Sequence, residues 1–323
     1  MASHLTVEER ELIAHMRRSG AMQKEIAQRL GRSRSTISRE LRRNRSRNGY
    51  GGTAAQKKAE KRRRERPWTP KLKRAELRRY VREKLRQYWS PDQIAGRSRA
   101  DFPDDRRRRV SHQTIYTWID GEEAAGGRWR RYLRRGGRKR SGPEKRGRIP
   151  AATRIAWRPE VVDRRGRYGD WEGDTVVGAG HRGGAATFVE RKSGYLLLGR
   201  VEDLRAPTVR QAATELYQTM PAALRKTLTL DNGKEFAEHE QMEAENNLKI
   251  YFAEPYCAWQ RGTNENTNGL VRQFFPKGTD LAGTPKPQFT KVQRLLNNRP
   301  RKRLGYRTPC EVLTTYTKVA FQT

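Results

Sequence analysis

The sequence has few acidic residues for its length. Only 36 Asp and Glu stand against 71 Lys and Arg in 323 residues, which gives a formal net charge of +35 at pH 7. The first 150 residues hold 44 of the basic residues and 17 of the acidic ones. A basic excess of this size, spread over several segments, indicates binding to nucleic acid. A solvated basic face and a membrane-surface patch are the simpler alternatives.

Other features are missing, and each absence excludes a class of protein. The two cysteines, Cys257 and Cys310, are too few for a disulfide framework and form no CxxC pair of a zinc module. No apolar run approaches the ~20 residues that a membrane-spanning helix requires, and the N-terminus lacks the apolar centre of a secretory signal. There is also no glycine-rich phosphate loop. We therefore expect a cytoplasmic protein with reduced thiols and no membrane contact.

Residues 6–44 have the pattern of three short helices. Thr6 is the predicted N-cap of the first, Gly20 ends it, and Gly31 turns the chain between the second and the third. Two short helices around a glycine-bearing turn are typical of a helix-turn-helix, whose last helix enters the major groove. Near the bases we expect Arg34, Ser35, Thr36 and Arg39, and at the phosphates Arg42 and Arg43. A small helical bundle without groove contact is the alternative.

A second helical unit is predicted over residues 71–133. Ser90 and Pro91 open its second helix, and Ser111 caps its third after a long charged loop. The arrangement fits a second helix-turn-helix with a long turn, although the loop would equally suit unrelated helices. The DNA contacts predicted for the third helix are Ser111, His112, Gln113 and Tyr116.

The hydrophobic period changes from residue 165 onward. The predicted order is β-β-β-α-β-α-β-α, which makes a mixed sheet with helices packed on it. Two basic stretches without apolar periodicity, 49–70 and 134–160, are predicted linkers, the first with room for one exposed helix. The predicted domains are therefore 1–48, 71–133 and 161–323.

Three acidic side chains of the last domain lie at positions that suit chemistry. Asp174 lies inside the first strand, Asp231 ends the fourth, and Glu265 is in the first turn of a late helix. Each has a simpler explanation alone, since Asp231 before Asn-Gly is a typical turn residue and Glu265 suits a helix N-terminus. Glu172, on the same face of the strand two residues earlier, is a rival to Asp174.

The three carboxylates would converge if the first and fourth strands were neighbours. Clustered carboxylates repel one another unless a cation lies among them, and hard oxygen ligands suit Mg²⁺. Two such ions about 4 Å apart would clamp the attacking and leaving oxygens of a phosphodiester. The pattern therefore predicts metal-dependent phosphoryl transfer by water or a 3′-hydroxyl.

Several stretches, running nearly end to end, resemble the DDE transposases of bacterial insertion sequences, and closely the family founded on insertion sequence thirty. The stretches are SRSTISREL (33–41), WSPDQIAG (89–96), RVSHQTIYTWI (109–119), WEGDT (171–175), VERKSGY (189–195), LTLDNGKEFAEH (228–239), YFAEPYCAWQRGTNENTNGLVRQFFPKGTD (251–280) and LNNRPRKRLGYRTPCEVL (296–313). The stretches around DNGKEF and NEN are highly specific, whereas a helix-turn-helix alone is generic.

The resemblance implies a ribonuclease H-like catalytic domain, with a mixed five-stranded sheet, behind N-terminal all-α helix-turn-helix modules. It implies the triad Asp174, Asp231 and Glu265, whose last two members are separated by 33 residues as in that family. It further implies two Mg²⁺ ions per site, with Mn²⁺ as a substitute. The implied DNA partners are the terminal inverted repeats of the element and a double-stranded target, in the bacterial nucleoid. Because two ends are processed together, a homodimer or larger assembly on DNA is expected.

Other residues around Glu265 have both a functional and a simple interpretation. Predicted to contact DNA are Trp259, Arg261 and Arg272. Arg272 follows Glu265 by two helical turns and so faces the same side, but a solvated arginine and a core tryptophan would also fit. Asparagines at 264, 266 and 268 would orient the carboxylate, bind phosphate, or simply cap the helix.

Two other functions remain open from the sequence. The first is a DNA-binding regulator whose sheet domain has lost catalysis, against which the intact acidic triad argues. The second is a structure-specific nuclease or resolvase on the same fold. Such an enzyme would not need two sequence-reading helical modules.

Overall fold

A computed structural model of the chain describes residues 4–46, 49–65, 71–134, 153–254 and 257–320. The chain divides into two compact units, Met1–Pro70 and Lys71–Thr323. Among the described residues, no helix is both long and apolar enough to span a membrane.

The N-terminal unit consists of α1 (Val7–Arg18), α2 (Gln23–Arg29), α3 (Arg34–Asn44) and α4 (Gly52–Glu65). Thr6 caps α1 and Ser33 caps α3, each through its side-chain oxygen. Ile13, Ile26 and Ile37, one from each of the first three helices, are fully buried together. The predicted helix-turn-helix is therefore confirmed, with the buried residues of α3 on one side and its arginines on the other.

A buried ion pair joins α1 to α3. The Arg10 guanidinium donates to the Glu40 carboxylate over 2.8 Å, and the same carboxylate accepts from Asn44 over 2.6 Å and from the Tyr50 hydroxyl over 3.1 Å. Arg10 also donates to Gln56 of α4 over 2.6 Å. These bonds fix the orientation of α3, because a buried carboxylate is tolerated only where its oxygens are paired.

The predicted linker 49–70 contains the helix for which its sequence left room, expected over 53–66 and found as α4 at 52–65. The correction concerns its packing, because α4 lies along α1 and belongs to the N-terminal unit instead of standing apart as a linker. Gly52 lies so close to α1 that a Cβ there would sit 2.6 Å from the backbone nitrogen of Glu11. α4 is held by the close approach of its backbone to α1 and by polar contacts. Its sequence therefore shows little apolar periodicity and resembles that of a linker.

Within the described residues, the second unit contains the five strands of the sheet and the other α-helices. Its elements are α5 (Ala75–Arg86), α6 (Pro91–Asp101), α7 (His112–Ala124), α8 (Glu160–Asp163), β1 (Asp170–Val177), β2 (Gly184–Glu190), β3 (Leu196–Val201), α9 (Ala206–Tyr217), β4 (Thr227–Leu230), α10 (His239–Asn246), β5 (Lys249–Phe252), α11 (Gly262–Val271), α12 (Lys286–Asn297) and α13 (Pro309–Ala320).

The five strands form one mixed sheet in the order β3-β2-β1-β4-β5. The first three are antiparallel neighbours, and β4 and β5 add in parallel on the other side of β1. The first and fourth strands are therefore adjacent, as the ribonuclease H-like order requires. This confirms the predicted fold class.

Helices cover both faces of the sheet. On one face, Trp171, Phe188 and Leu228 pack with α9 and α10 in a fully buried cluster. On the other, Val176, Val189 and Leu196 pack with α11 and α12. Because side chains alternate along a strand, Asp174 shares the second face with Val176.

The helices α5, α6 and α7 form a small module with its own core. Ile94, Ile115 and Ile119 are fully buried in it, and Ser90 and Ser111 cap α6 and α7 as predicted. The module belongs to the same compact unit as the sheet. The predicted linker 134–160 falls largely outside the described residues, so the boundary there stays a prediction.

Candidate active site

Two of the predicted acids lie side by side at one edge of the sheet. β1 and β4 are parallel, and Glu172 pairs with Thr229 in their register. Continuing that register by two residues places Asp231, just past β4, next to Asp174 in β1. The carboxyl ends of parallel strands lie at the same edge of a sheet, so the carboxylates of Asp174 and Asp231 face the same space.

A single guanidinium bridges these two carboxylates. Arg261 donates to Oδ2 of Asp231 over 3.1 Å, and its other terminal nitrogen lies 3.7 Å from Oδ2 of Asp174. The same nitrogen donates to the Gly173 carbonyl over 3.1 Å. Arg261 is 9% exposed. The two acids are thus close enough to share one cation, and their mutual repulsion is relieved by it.

Each acid is also held by a second donor. The side-chain amide of Asn268 donates to Oδ2 of Asp174 over 2.9 Å. The backbone N–H of Gly233 donates to Oδ1 of Asp231 over 3.2 Å. Asp231 is therefore a turn residue, as the simpler interpretation held, and at the same time a member of the acidic pair.

Glu172, the rival of Asp174, is used in a different way. Its side chain is buried, pairs with the Arg191 guanidinium, and accepts from the backbone N–H of Asn264 over 2.9 Å. Both of its oxygens are therefore engaged, one by Arg191 just past β2 and the other in fastening the first turn of α11 to β1. The contacts therefore give Glu172 a structural role and leave the partly exposed Asp174 beside Asp231.

Glu265 stands apart from the pair. It is exposed on α11, whereas Asn264 is fully buried and donates to the carbonyls of Glu172 and Thr187. Residues 264 and 268 are one turn apart and face the sheet, whereas residue 265 is displaced around the helix axis by about 100° from residue 264 and by about 60° from residue 268. No group of three His, Cys, Asp or Glu side chains in the described ranges is arranged to hold a metal ion.

The pair nevertheless fits a divalent cation. Mg²⁺ usually takes one or two protein carboxylates and completes its shell with water and substrate phosphates. Asp174 and Asp231 supply two carboxylates directed at one positive group, and Glu265 lies on the neighbouring helix. The donor set is therefore adequate for the metal that the family resemblance implied.

Sequence reasoning missed Thr175 and Thr187 as residues that hold Asp174. Thr187 of β2 donates to the backbone carbonyl of Asp174 over 3.1 Å, and the backbone N–H of Thr175 donates to Oδ1 of Asp174 over 2.8 Å. The asparagine at 268 was expected to orient the carboxylate of Glu265, and its side chain instead donates to Asp174.

The residues predicted to meet DNA are mostly exposed. On α3 these are Arg34, Ser35, Arg39, Arg42 and Arg43, with Thr36 half-buried, and at the start of α7 they are Ser111, His112, Gln113 and Tyr116. Arg261 is directed at the acids, and Arg272 donates to the Val177 carbonyl over 2.9 Å. The side chain of Trp259 lies outside the described part of the structure. Their contacts with DNA stay predictions.

Similar proteins are known over nearly the full chain. Residues 2–44 match a helix-turn-helix domain family. The chain is 39% identical over 317 residues to the transposase for insertion sequence element IS4351 of Bacteroides fragilis, covering 96% of this chain and 95% of that protein. It is 40% identical over 321 residues to the transposase InsI for insertion sequence element IS30A of Escherichia coli (strain K12), covering 96% and 83%.

Another relative is the transposase for insertion sequence element IS1086 of Cupriavidus metallidurans, 39% identical over 319 residues and matched over 96% of this chain and 94% of its own length. Among solved structures, the catalytic core domain of BIV integrase covers 48% of this chain and 99% of its own, with 18% identity and a TM-score of 0.38.

Proposed function

The chain belongs to the IS30 family of insertion-sequence transposases, and from that premise we propose that it cuts and transfers DNA strands by metal-dependent phosphoryl transfer at Asp174 and Asp231. The observation that carries the proposal is the shared cation. Two carboxylates from adjacent strands are held against one positive group at the sheet edge. Glu265, on the neighbouring helix, is the proposed third acid.

The proposed reaction exchanges one phosphodiester bond for another. In cleavage, a water oxygen bonds to phosphorus while the bond to the 3′-oxygen breaks, which leaves a 3′-hydroxyl and a 5′-phosphate. In transfer, that 3′-hydroxyl attacks a phosphodiester of the target and expels its 3′-oxygen. The attacking oxygen gives its proton to solvent, and the leaving oxygen takes one up.

The cofactor proposed for this reaction is Mg²⁺, in two ions, with Mn²⁺ as a substitute. Bound metal supplies electrostatic stabilisation of the charge that builds up on the phosphate oxygens and activates the attacking oxygen. Asp174 and Asp231 would hold it, with Glu265 from α11. Asn268 and the Gly233 N–H keep the two aspartates oriented, so little reorganisation is needed when the substrate arrives.

The helical parts of the chain would select the DNA. The exposed arginines of α3 and the polar N-terminus of α7 are proposed to bind the terminal inverted repeat in successive segments. Because two ends must be brought together, we propose that the chain acts as a homodimer or larger assembly on DNA. The excess of basic residues before residue 150 provides the phosphate affinity.

The test is strand cutting and joining on a labelled duplex that carries the terminal repeat of the element encoding this chain. Wild type and Asp231→Asn are compared with Mg²⁺ and with EDTA. We expect products from the wild type with Mg²⁺ alone. Specific binding without products under every metal condition would overturn the enzyme and leave a DNA-binding regulator.

A further inference from the structure

The helical module is fastened to the sheet domain by contacts that the proposed chemistry does not use. They join α6 to the segment just before α13 and to the start of that helix. At their centre, Gly96 packs flat against the Tyr306 ring, and a Cβ at position 96 would lie 2.3 Å from Cε1 of that ring. The Tyr306 hydroxyl donates to Asp92 of α6 over 3.3 Å. Only glycine permits this approach.

A bidentate ion pair lies beside this contact. The two terminal nitrogens of Arg97 donate to the two oxygens of Glu311 over 2.7 and 2.6 Å. Glu311 also accepts from the backbone N–H of Thr308 over 2.7 Å, which fixes the start of α13. Paired, planar geometry of this kind adds orientation as well as attraction.

Arg299 makes a third contact from inside the interface. It is 2% exposed and donates to Gln93 of α6 over 2.9 Å and to Gln273 over 3.0 Å. Burial, together with the charges of Arg301 and Arg134, lowers the pKa of Arg299 to about 9. Arg299 gains no ion pair there among the described residues. Its contribution therefore lies in the geometry of its two hydrogen bonds to neutral acceptors.

The far end of the module reaches α11, the helix that carries Glu265. Arg134 donates to the side chain and the carbonyl of Asn266, both over 3.4 Å. Just past α11, Gln273 donates to the Tyr132 carbonyl over 3.1 Å, and the rings of Tyr88 and Phe274 meet edge to face at 4.7 Å. The module is thus tied to the catalytic helix as well as to α13.

These contacts connect the module that carries the exposed helix α7 to the domain that carries the acids. α7 packs on α6 through Ile94, Ile115 and Ile119, all fully buried, and α6 is bound to the sheet domain through Gly96 and Arg97. We infer that this interface determines which phosphodiester is cut, by holding α7 at a fixed distance from Asp174 and Asp231. The inference rests on the proposed function.

The test loosens the interface and leaves the acids and α7 unchanged. The loosened variant is Gly96→Leu/Arg97→Ala. Its control is Ala100→Leu/Arg99→Ala, which likewise introduces one leucine and removes one arginine, at exposed positions of the same helix. A second loosened variant, Tyr306→Gly, removes the ring at a position whose φ of +64° suits glycine, so its fold is not strained.

Cut positions are mapped at nucleotide resolution on the terminal-repeat duplex, with binding measured in parallel. We expect the wild type and the control to cut at one position. Both loosened variants should bind as tightly, but their cutting at that position should fall by on the order of 10²-fold, since misplacement by about 1 Å is enough for such a loss, and the remaining cuts should spread to neighbouring nucleotides.

A spacer series completes the test. One to four base pairs are inserted between the segment protected by residues 111–116 and the cut position. In the wild type the cut should move with the protected segment. If both loosened variants cut at the single wild-type position at the wild-type rate, the inference is overturned and the proposed function stands. If the wild type does not cut, the proposed function fails and the inference with it.

Discussion

The Arg261 guanidinium is bonded to the Asp231 carboxylate over 3.1 Å and lies 3.7 Å from that of Asp174. A positive side chain thus stands where the two acids face each other. It holds them in place, and it competes with any other cation for the same oxygens.

Removing that charge should strengthen metal binding. A unit charge about 4 Å away is worth ~4 kcal/mol at an effective dielectric of 20, so Arg261→Ala should bind Mn²⁺ at least about tenfold more tightly without DNA. Electron paramagnetic resonance of free Mn²⁺ measures this directly. Arg272→Ala, which removes an arginine bonded to a carbonyl, should change the affinity far less. Unaltered Mn²⁺ affinity in Arg261→Ala would refute the competition.

Alanine substitutions at two arginines of α3 should weaken DNA binding in different ways. For Arg39, which is predicted to contact bases, replacement by alanine should cost about 1–3 kcal/mol of binding free energy on the terminal repeat and little on unrelated DNA. For Arg42, which is predicted to contact a phosphate, replacement by alanine should weaken binding to both duplexes equally and reduce the slope of log affinity against log salt by about 0.9. Fluorescence anisotropy on the two duplexes over a salt series separates them. If Arg39→Ala loses the same affinity for both duplexes, Arg39 contacts the DNA backbone and not the bases.

The N-terminal unit should depend on the Arg10–Glu40 pair. Glu40 is 9% exposed and serves three donors. Its replacement by alanine leaves a buried guanidinium without its carboxylate, which should lower the free energy of unfolding by about 3–5 kcal/mol. Urea unfolding of the full chain, followed by circular dichroism, provides the measurement. A loss no larger than that of the exposed change Glu25→Ala would mean that the network contributes little.

The interface between α6 and α13 should weaken in acid. The Arg97 guanidinium lowers the pKa of Glu311 from 4.5 to about 2. Because the folded pKa is depressed, the stabilisation is complete above the unfolded pKa near 4.5 and is lost as the pH falls through about 2. The stability difference between wild type and Glu311→Gln should therefore shrink between those values. A difference that stays constant over this range would contradict the pairing.

Much of the fold follows from the sequence because it rests on local patterns. The strand β1, the turn at Asp231 and the caps at Thr6, Ser90 and Ser111 are visible in short stretches, and the order of strands and helices then restricts the sheet to few arrangements. The adjacency of Asp174 and Asp231 needed one further premise, the ribonuclease H-like strand order, which came from the family resemblance.

The features that the sequence did not predict depend on contacts between segments that are far apart in the chain. Glu172 and Asp174 share a strand face, and their roles are distinguished by the position of Arg191, placed by the hairpin, and by the position of α11. Gly96 and Tyr306 are 210 residues apart, and neither suggests the other in the sequence. The outward direction of Glu265 follows from the burial of Asn264, which the helical pattern alone does not fix.

Asp174 and Asp231 are proposed to hold the metal ions on which strand cutting depends. This is tested by a change of metal preference in Asp231→Cys on the terminal-repeat duplex, since a thiolate is a softer ligand than a carboxylate and disfavours Mg²⁺. We predict that this variant loses cutting with Mg²⁺, by on the order of 10³-fold for an effect worth several kcal/mol, and regains part of it with Mn²⁺, whereas Asp231→Asn regains none. Undiminished cutting by Asp231→Cys with Mg²⁺ would contradict the claim.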